Sequence, residues 1–99
     1  MARFAVYAGI GPGEGYVVDV QASLLDELST RVVIPLLPAG GGGTIRDLNP
    51  VVDIDGRPFV VMTQELSAVP RTLLRRSVGS LDAWHDEIVR ALDVLLTGF

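Results

Sequence analysis

Val51-Val52-Asp53-Ile54-Asp55-Gly56-Arg57-Pro58-Phe59-Val60-Val61-Met62 is the stretch whose reading decides the fold. Two runs rich in β-branched and apolar residues flank Asp55-Gly56. That pair is a two-residue connection suited to a type I′ hairpin turn, where both central residues need positive φ. An antiparallel hairpin at this point makes the domain a β protein, and the neighbouring segments follow the same pattern.

Upstream, residues 31–37 are rich in β-branched types and read as a strand carrying Pro35. Proline donates no backbone hydrogen bond, so an edge, a bulge or a strand end is expected there. Residues 3–8 place Phe4, Val6 and Ala8 on one face, and residues 16–20 do the same with Tyr16, Val18 and Val20. Both carry the period-two signature of a half-buried strand. The connection at 9–15 holds four glycines and a proline, which suit neither helix nor strand, so a hairpin loop is expected. Residues 23–28 read as a loop or a single helical turn exposing Leu24 and Leu25. Residues 39–43 form a second glycine-rich loop, and 66–69 a further short strand before Pro70. The segment 71–78 stays open between irregular structure and a brief helix.

The period changes at Leu81. Leu81, Trp84, Ile88, Ala91, Leu92 and Leu95 fall at helical spacing and make one apolar stripe. Asp82 is placed to cap the start, Asp86 and Glu87 favour the helix dipole, and Gly98 suits a left-handed cap. Val89 and Leu96 add a second apolar edge, either as core contact or as a subunit interface. The terminal Phe99 either packs back on the core or serves as an apolar plug for a partner.

The composition narrows the function. Ninety-nine residues with 48% hydrophobic and 20% charged types make one domain spanning 1–99. There is no cysteine, which removes disulfides, thiolate chemistry and cysteine-based metal sites, and the single His85 excludes a two-histidine metal site. No cofactor or metal is expected. The net charge of −4 argues against general binding of nucleic acid or anionic membrane. No signal-peptide pattern and no run of roughly 20 apolar residues is visible, so a cytoplasmic protein is expected.

Individual motifs read structurally. Gly9-x-Gly11 is followed by Glu14 where a dinucleotide fingerprint needs glycine, and the continuation is a strand with no helix N-terminus for a phosphate. Residues 40–43 run into Thr44 without the lysine of a phosphate loop. His85, beside Asp82 and Asp86, reads as a hydrogen-bonded surface imidazole rather than a general base. Arg71, Arg75 and Arg76 form the only cationic cluster; with no aromatic residue interleaved, they read as a solvated face.

Taken in order, several segments resemble the CcdB toxin family of toxin–antitoxin systems. They are Phe4-x-Val6-Tyr7, Val18-Asp19-Val20-Gln21 with Leu24-Leu25-Asp26, Arg31-Val32-Val33-Ile34-Pro35-Leu36 and Asn49-Pro50-Val51-Val52. Met62-Thr63, Leu66-Ser67-Ala68-Val69-Pro70 and the tail ending Gly98-Phe99 complete the set. The resemblance implies a homodimer with an SH3-like antiparallel β-barrel, mainly β, and one C-terminal helix. It also implies a toxin that binds the DNA gyrase A subunit through its C-terminus, inhibits topoisomerase action and is neutralised by a cognate antitoxin. Leu96, Thr97, Gly98 and Phe99 would then contact gyrase, with Leu24, Leu25 and Asp93 near them. The family pattern has tryptophan at Thr97, a polar amide at Asp93 and an aliphatic residue at Phe99. The antitoxin's contacts are expected at the 9–15 and 40–43 loops. Two alternatives stand beside this: a non-toxic antitoxin-binding homologue, and a metal-independent endoribonuclease on a related barrel.

Overall fold

Asp55 and Gly56 take φ of 52° and 81°, the pair of positive values that a type I′ turn requires. They join β4 (Val51–Ile54) to β5 (Arg57–Val61), with Val51 opposite Val60 and Ile54 opposite Arg57. The hairpin is thus formed as its sequence dictates, and the remaining strands build outward from it. The computed structural model describes residues 2–10 and 15–98.

Among the described residues the other strands are β1 (Ala5–Ala8), β2 (Tyr16–Asp19), β3 (Thr30–Pro38), β6 (Ser67–Pro70) and β7 (Ser77–Ser80). One curled antiparallel sheet runs β4-β5-β3-β2-β1-β7, with β6 paired to β3 off that path. A single helix, α1 (His85–Thr97), follows the last strand.

The nine-residue β3 organises the sheet. One of its edges pairs with β2; the other pairs with β6 along Thr30–Val33 and with β5 along Leu36–Pro38. Pro35 therefore does not lie at a sheet edge or a strand end, as its chemistry suggested. It sits in the middle of the central strand, where the partner on one edge changes from β6 to β5. No register pairs Pro35 on that edge, and its carbonyl accepts the Met62 N–H at 3.0 Å instead. The break in the ladder is what makes a proline tolerable there.

The half-buried reading of the first two strands is also corrected. Phe4, Val6, Val18, Ile34, Leu36, Val52, Phe59 and Val61 point into the main core with Leu81 and Ile88. The alternate residues Ala5, Tyr7, Val17 and Val33 are buried too, in a second cluster under Leu74 with Ile10 and Val69 against it. Inside the curl one face is covered by α1; outside it, the chain following β6 covers the other. Ala8, expected on the buried face, is exposed. Phe4 takes φ of 69° and precedes the strand, turning its ring into the core rather than extending β1.

The helix seats the expected stripe. Leu81, Ile88 and Ala91 are buried, and Trp84, Val89 and Leu92 pack against the core beside them. Complete burial of Ile88 alone is worth about 1.5–3 kcal/mol. Its start differs from expectation: a single 3-10 turn occupies Asp82–Trp84, the N-cap position falls to Trp84, and no side chain caps it. Asp86 and Glu87 do occupy the first turn. The open segment 71–78 resolves into a 3-10 turn at Arg71–Leu73 and the start of β7.

Candidate functional site

The end of α1 is closed by its own backbone. Gly98 adopts φ of 82° and donates its N–H to the carbonyls of Asp93 and Val94, each at 3.1 Å. A left-handed glycine cap of this kind satisfies carbonyls that would otherwise face solvent. The Thr97 hydroxyl donates to the same Asp93 carbonyl at 2.7 Å, so it is turned back on the helix. Leu96, the residue before it, is 70% exposed, and the Asp93 side chain is exposed as well. An apolar side chain left in water at the tip of a fixed helix is a surface suited to a partner. Phe99, expected to complete it, lies outside the described residues, as does the 11–14 part of the first loop.

Leu24 and Leu25 occupy a single 3-10 turn, Ser23–Leu25, between β2 and β3. Leu24 is 92% exposed and Leu25 nearly half exposed, as the sequence suggested. What holds the turn is polar and buried. The Gln21 amide nitrogen donates to the Leu25 carbonyl at 3.0 Å, while its oxygen accepts from the Val32 N–H at 3.0 Å. Asp19 accepts from the Gln21 backbone N–H through Oδ1 and from Arg31 Nε through Oδ2, at 3.0 and 2.9 Å. Arg31 Nη1 then reaches Asp26 at 2.8 Å, just beyond the exposed leucines. That hydrogen bond holds the Asp26 carboxyl below its ordinary pKa.

Arg31 and Asp19 are fully buried, and outside the family resemblance the sequence gives neither a role in the site. A signal for them does exist, in Asp19 and Gln21 alternating with Val18 and Val20. A carboxylate and an amide on the face opposite the core valines need partners once that face is buried too, since an unpaired buried charge is too costly. The two halves of the expected surface are carried by different elements. The leucine pair rides on the β2–β3 connection, whereas the helix end follows from α1; the Thr63–Glu65 turn is an element packed on α1. Among the described residues no hydrogen bond joins the leucine turn to the helix end.

Among the described residues no cluster of His, Asp or Glu is arranged to hold a metal ion. His85 lies edge-on to the Phe4 ring, centroids 5.1 Å apart, with Nδ1 3.1 Å from Asp86 Oδ1. This is the surface imidazole expected of it. Among the described residues, no helix is long and apolar enough to cross a membrane.

Comparison with solved structures returns toxins of the same shape. The Mycobacterium tuberculosis toxin MazF-mt6 superposes with a TM-score of 0.74 at 16% identity, covering 92% of this chain and 94% of that one. A crystal structure of an Mtb toxin gives 0.72 at 18% identity, covering 93% and 99%. At such identities the likeness establishes the curled antiparallel barrel with its C-terminal helix, and the fold alone. The sequence itself is matched by the family model described as CcdB protein over residues 3–98. The match runs from the residue before Phe4 to the Gly98 cap, and the chain belongs to the CcdB family.

Proposed function

We propose that this chain is the toxin component of a type II toxin–antitoxin system. In this reading a homodimer binds the DNA gyrase A subunit through the C-terminal end of α1, inhibits topoisomerase action, and is neutralised by a cognate antitoxin. It acts by binding and not by catalysis. Family membership supports the toxin role. The observation that carries the gyrase contact is the helix end: a glycine-locked terminus presenting Leu96 at 70% exposure. The exposed Leu24 and Leu25, held on the buried Asp19–Gln21–Arg31 network, supply a second rigid apolar element.

The antitoxin, in the same reading, covers the glycine loops. Gly41, Gly42 and Gly43 line a cleft of about 180 Å³ with Leu37, Val60 and Met62. A cleft of that character accepts one or two apolar side chains of a wrapping segment.

A second reading is favoured by Thr97. Its hydroxyl is committed to the Asp93 carbonyl, and it offers no ring to stack on a target. Such a helix end suits a homologue that keeps antitoxin binding without toxicity. Expression in the absence of antitoxin separates the two. The gyrase reading predicts growth arrest with accumulation of gyrase–DNA cleavage complexes. Normal growth at confirmed expression of the folded chain would leave the inert homologue. Cleavage of RNA by the purified protein would instead point to the endoribonuclease alternative.

A further inference from the structure

Arg71, Arg75 and Arg76 place three of the eight arginines within six residues of a chain whose net charge is −4. Among the described residues none of their side chains forms an ion pair or hydrogen bond, in contrast to Arg31 and Arg90. Exposed arginines in an acidic protein ordinarily find a carboxylate nearby. Here Arg75 and Arg76 instead form one wall of a cleft of about 420 Å³, whose other lining comes from Ala8, Gly9, Ile10, Leu73 and Val78. Leu73 and Val78 are each about half exposed, at 51% and 46%. No carboxylate among the described residues lines the cleft. It lies where β1 ends and β7 begins, on elements other than the leucine turn and the helix end.

We propose that this cleft is a docking site for an acidic segment of a partner protein, with carboxylates seated on Arg75 and Arg76 and an apolar side chain between Ile10, Leu73 and Val78. Guanidinium groups bind carboxylates through paired hydrogen bonds, which fixes orientation as well as sign. The apolar wall adds the desolvated contact that such anchors need. Nucleic acid is the poorer occupant. Among the described residues no aromatic lines the cleft to stack a base, and a protein of this net charge repels a polyanion along most of its surface. An acidic peptide carries its charges at lower density, with apolar side chains interleaved.

The proposal does not rest on gyrase recognition, and its assay contains no gyrase, so the two readings fail separately. The probe is a fluorescein-labelled synthetic peptide alternating glutamate and leucine, followed by anisotropy against the full chain. Single-stranded RNA of equal charge is run in parallel. Expected is saturable peptide binding that weakens with salt and falls about tenfold or more in Arg75→Glu/Arg76→Glu, the summed effect of two reversed ion pairs. Val78→Asp should weaken it as well, while Arg46→Glu, a reversal at an exposed arginine that does not line the cleft, should leave it unchanged. Circular dichroism confirms that each variant is folded. Absence of peptide binding, equal loss in Arg46→Glu, or tighter binding of the RNA at the same arginines overturns the proposal.

Discussion

Arg31 and Asp19 form an ion pair in which neither side chain is exposed: Nη2 lies 2.8 Å and Nε 2.9 Å from the same carboxylate oxygen, Oδ2. The pair sits beneath the turn that presents Leu24 and Leu25, and Arg31 extends through it to Asp26. Desolvating two charges is costly, and their attraction repays it only while both are present. Arg31→Met leaves Asp19 buried and unpaired, and should destabilise the protein by about 3–5 kcal/mol in urea unfolding. Adding Asp19→Leu should recover much of that loss. Equal stability of the single and double variants would mean that the two residues are not coupled.

Acid should weaken the same network through Asp26. Its carboxyl is held below the ordinary value, first by the hydrogen bond from Arg31. A depressed folded pKa means that, as pH falls, the unfolded state takes up the proton first. The stabilisation is therefore complete above about pH 4 and is lost as pH falls through the folded pKa. Asp26→Asn should be less stable at neutral pH and converge with the parent chain in strong acid. Melting temperatures across that range read the difference; a constant offset at every pH would contradict it.

Gly56 holds the hairpin by its backbone alone. A Cβ added there would meet nothing within 4 Å, but φ is +81°. Gly56→Ala should thus cost about 1–2 kcal/mol, entirely from left-handed backbone strain. Asp55→Asn, at φ of 52°, should be tolerated, because asparagine enters that region readily. Thermal unfolding of the two variants tests the contrast.

The helix end should be tunable without cost to the fold. Thr97 is exposed and its one side-chain bond is to its own helix. Thr97→Trp should change stability by no more than about 1 kcal/mol. If gyrase is the target, the added ring should tighten binding by about tenfold or more, the scale of an aromatic anchor. Unchanged affinity in surface-immobilised binding would show that this position does not face gyrase.

The β4–β5 hairpin and the helix were legible because each is specified locally, by Asp55-Gly56 in one case and by a helical apolar period in the other. The strand β7 was not. Ser77, Val78, Gly79 and Ser80 are all exposed and carry no alternation, and their pairing with β1 is broken by a register shift between Val6 and Tyr7. Only tertiary contact makes that segment a strand. Pro35 misled for a similar reason: the sequence shows a missing donor, but not that β3 changes partners beside it. Leu24 and Leu25 were legible as exposed, whereas their support was not, since it depends on Arg31 and Asp19 meeting across two strands. The Arg75–Arg76 cleft was out of reach altogether, because its apolar wall comes partly from Ile10, far along the chain.

The central claim is that the C-terminal helix end is a gyrase contact. Calorimetric titration of this protein against the gyrase A dimerisation fragment of its own host tests it most directly, with the chain lacking Gly98-Phe99 as control. The account predicts binding by the full chain and none by the folded, truncated chain. Binding that survives the truncation, or no binding by the folded full-length chain, would contradict it.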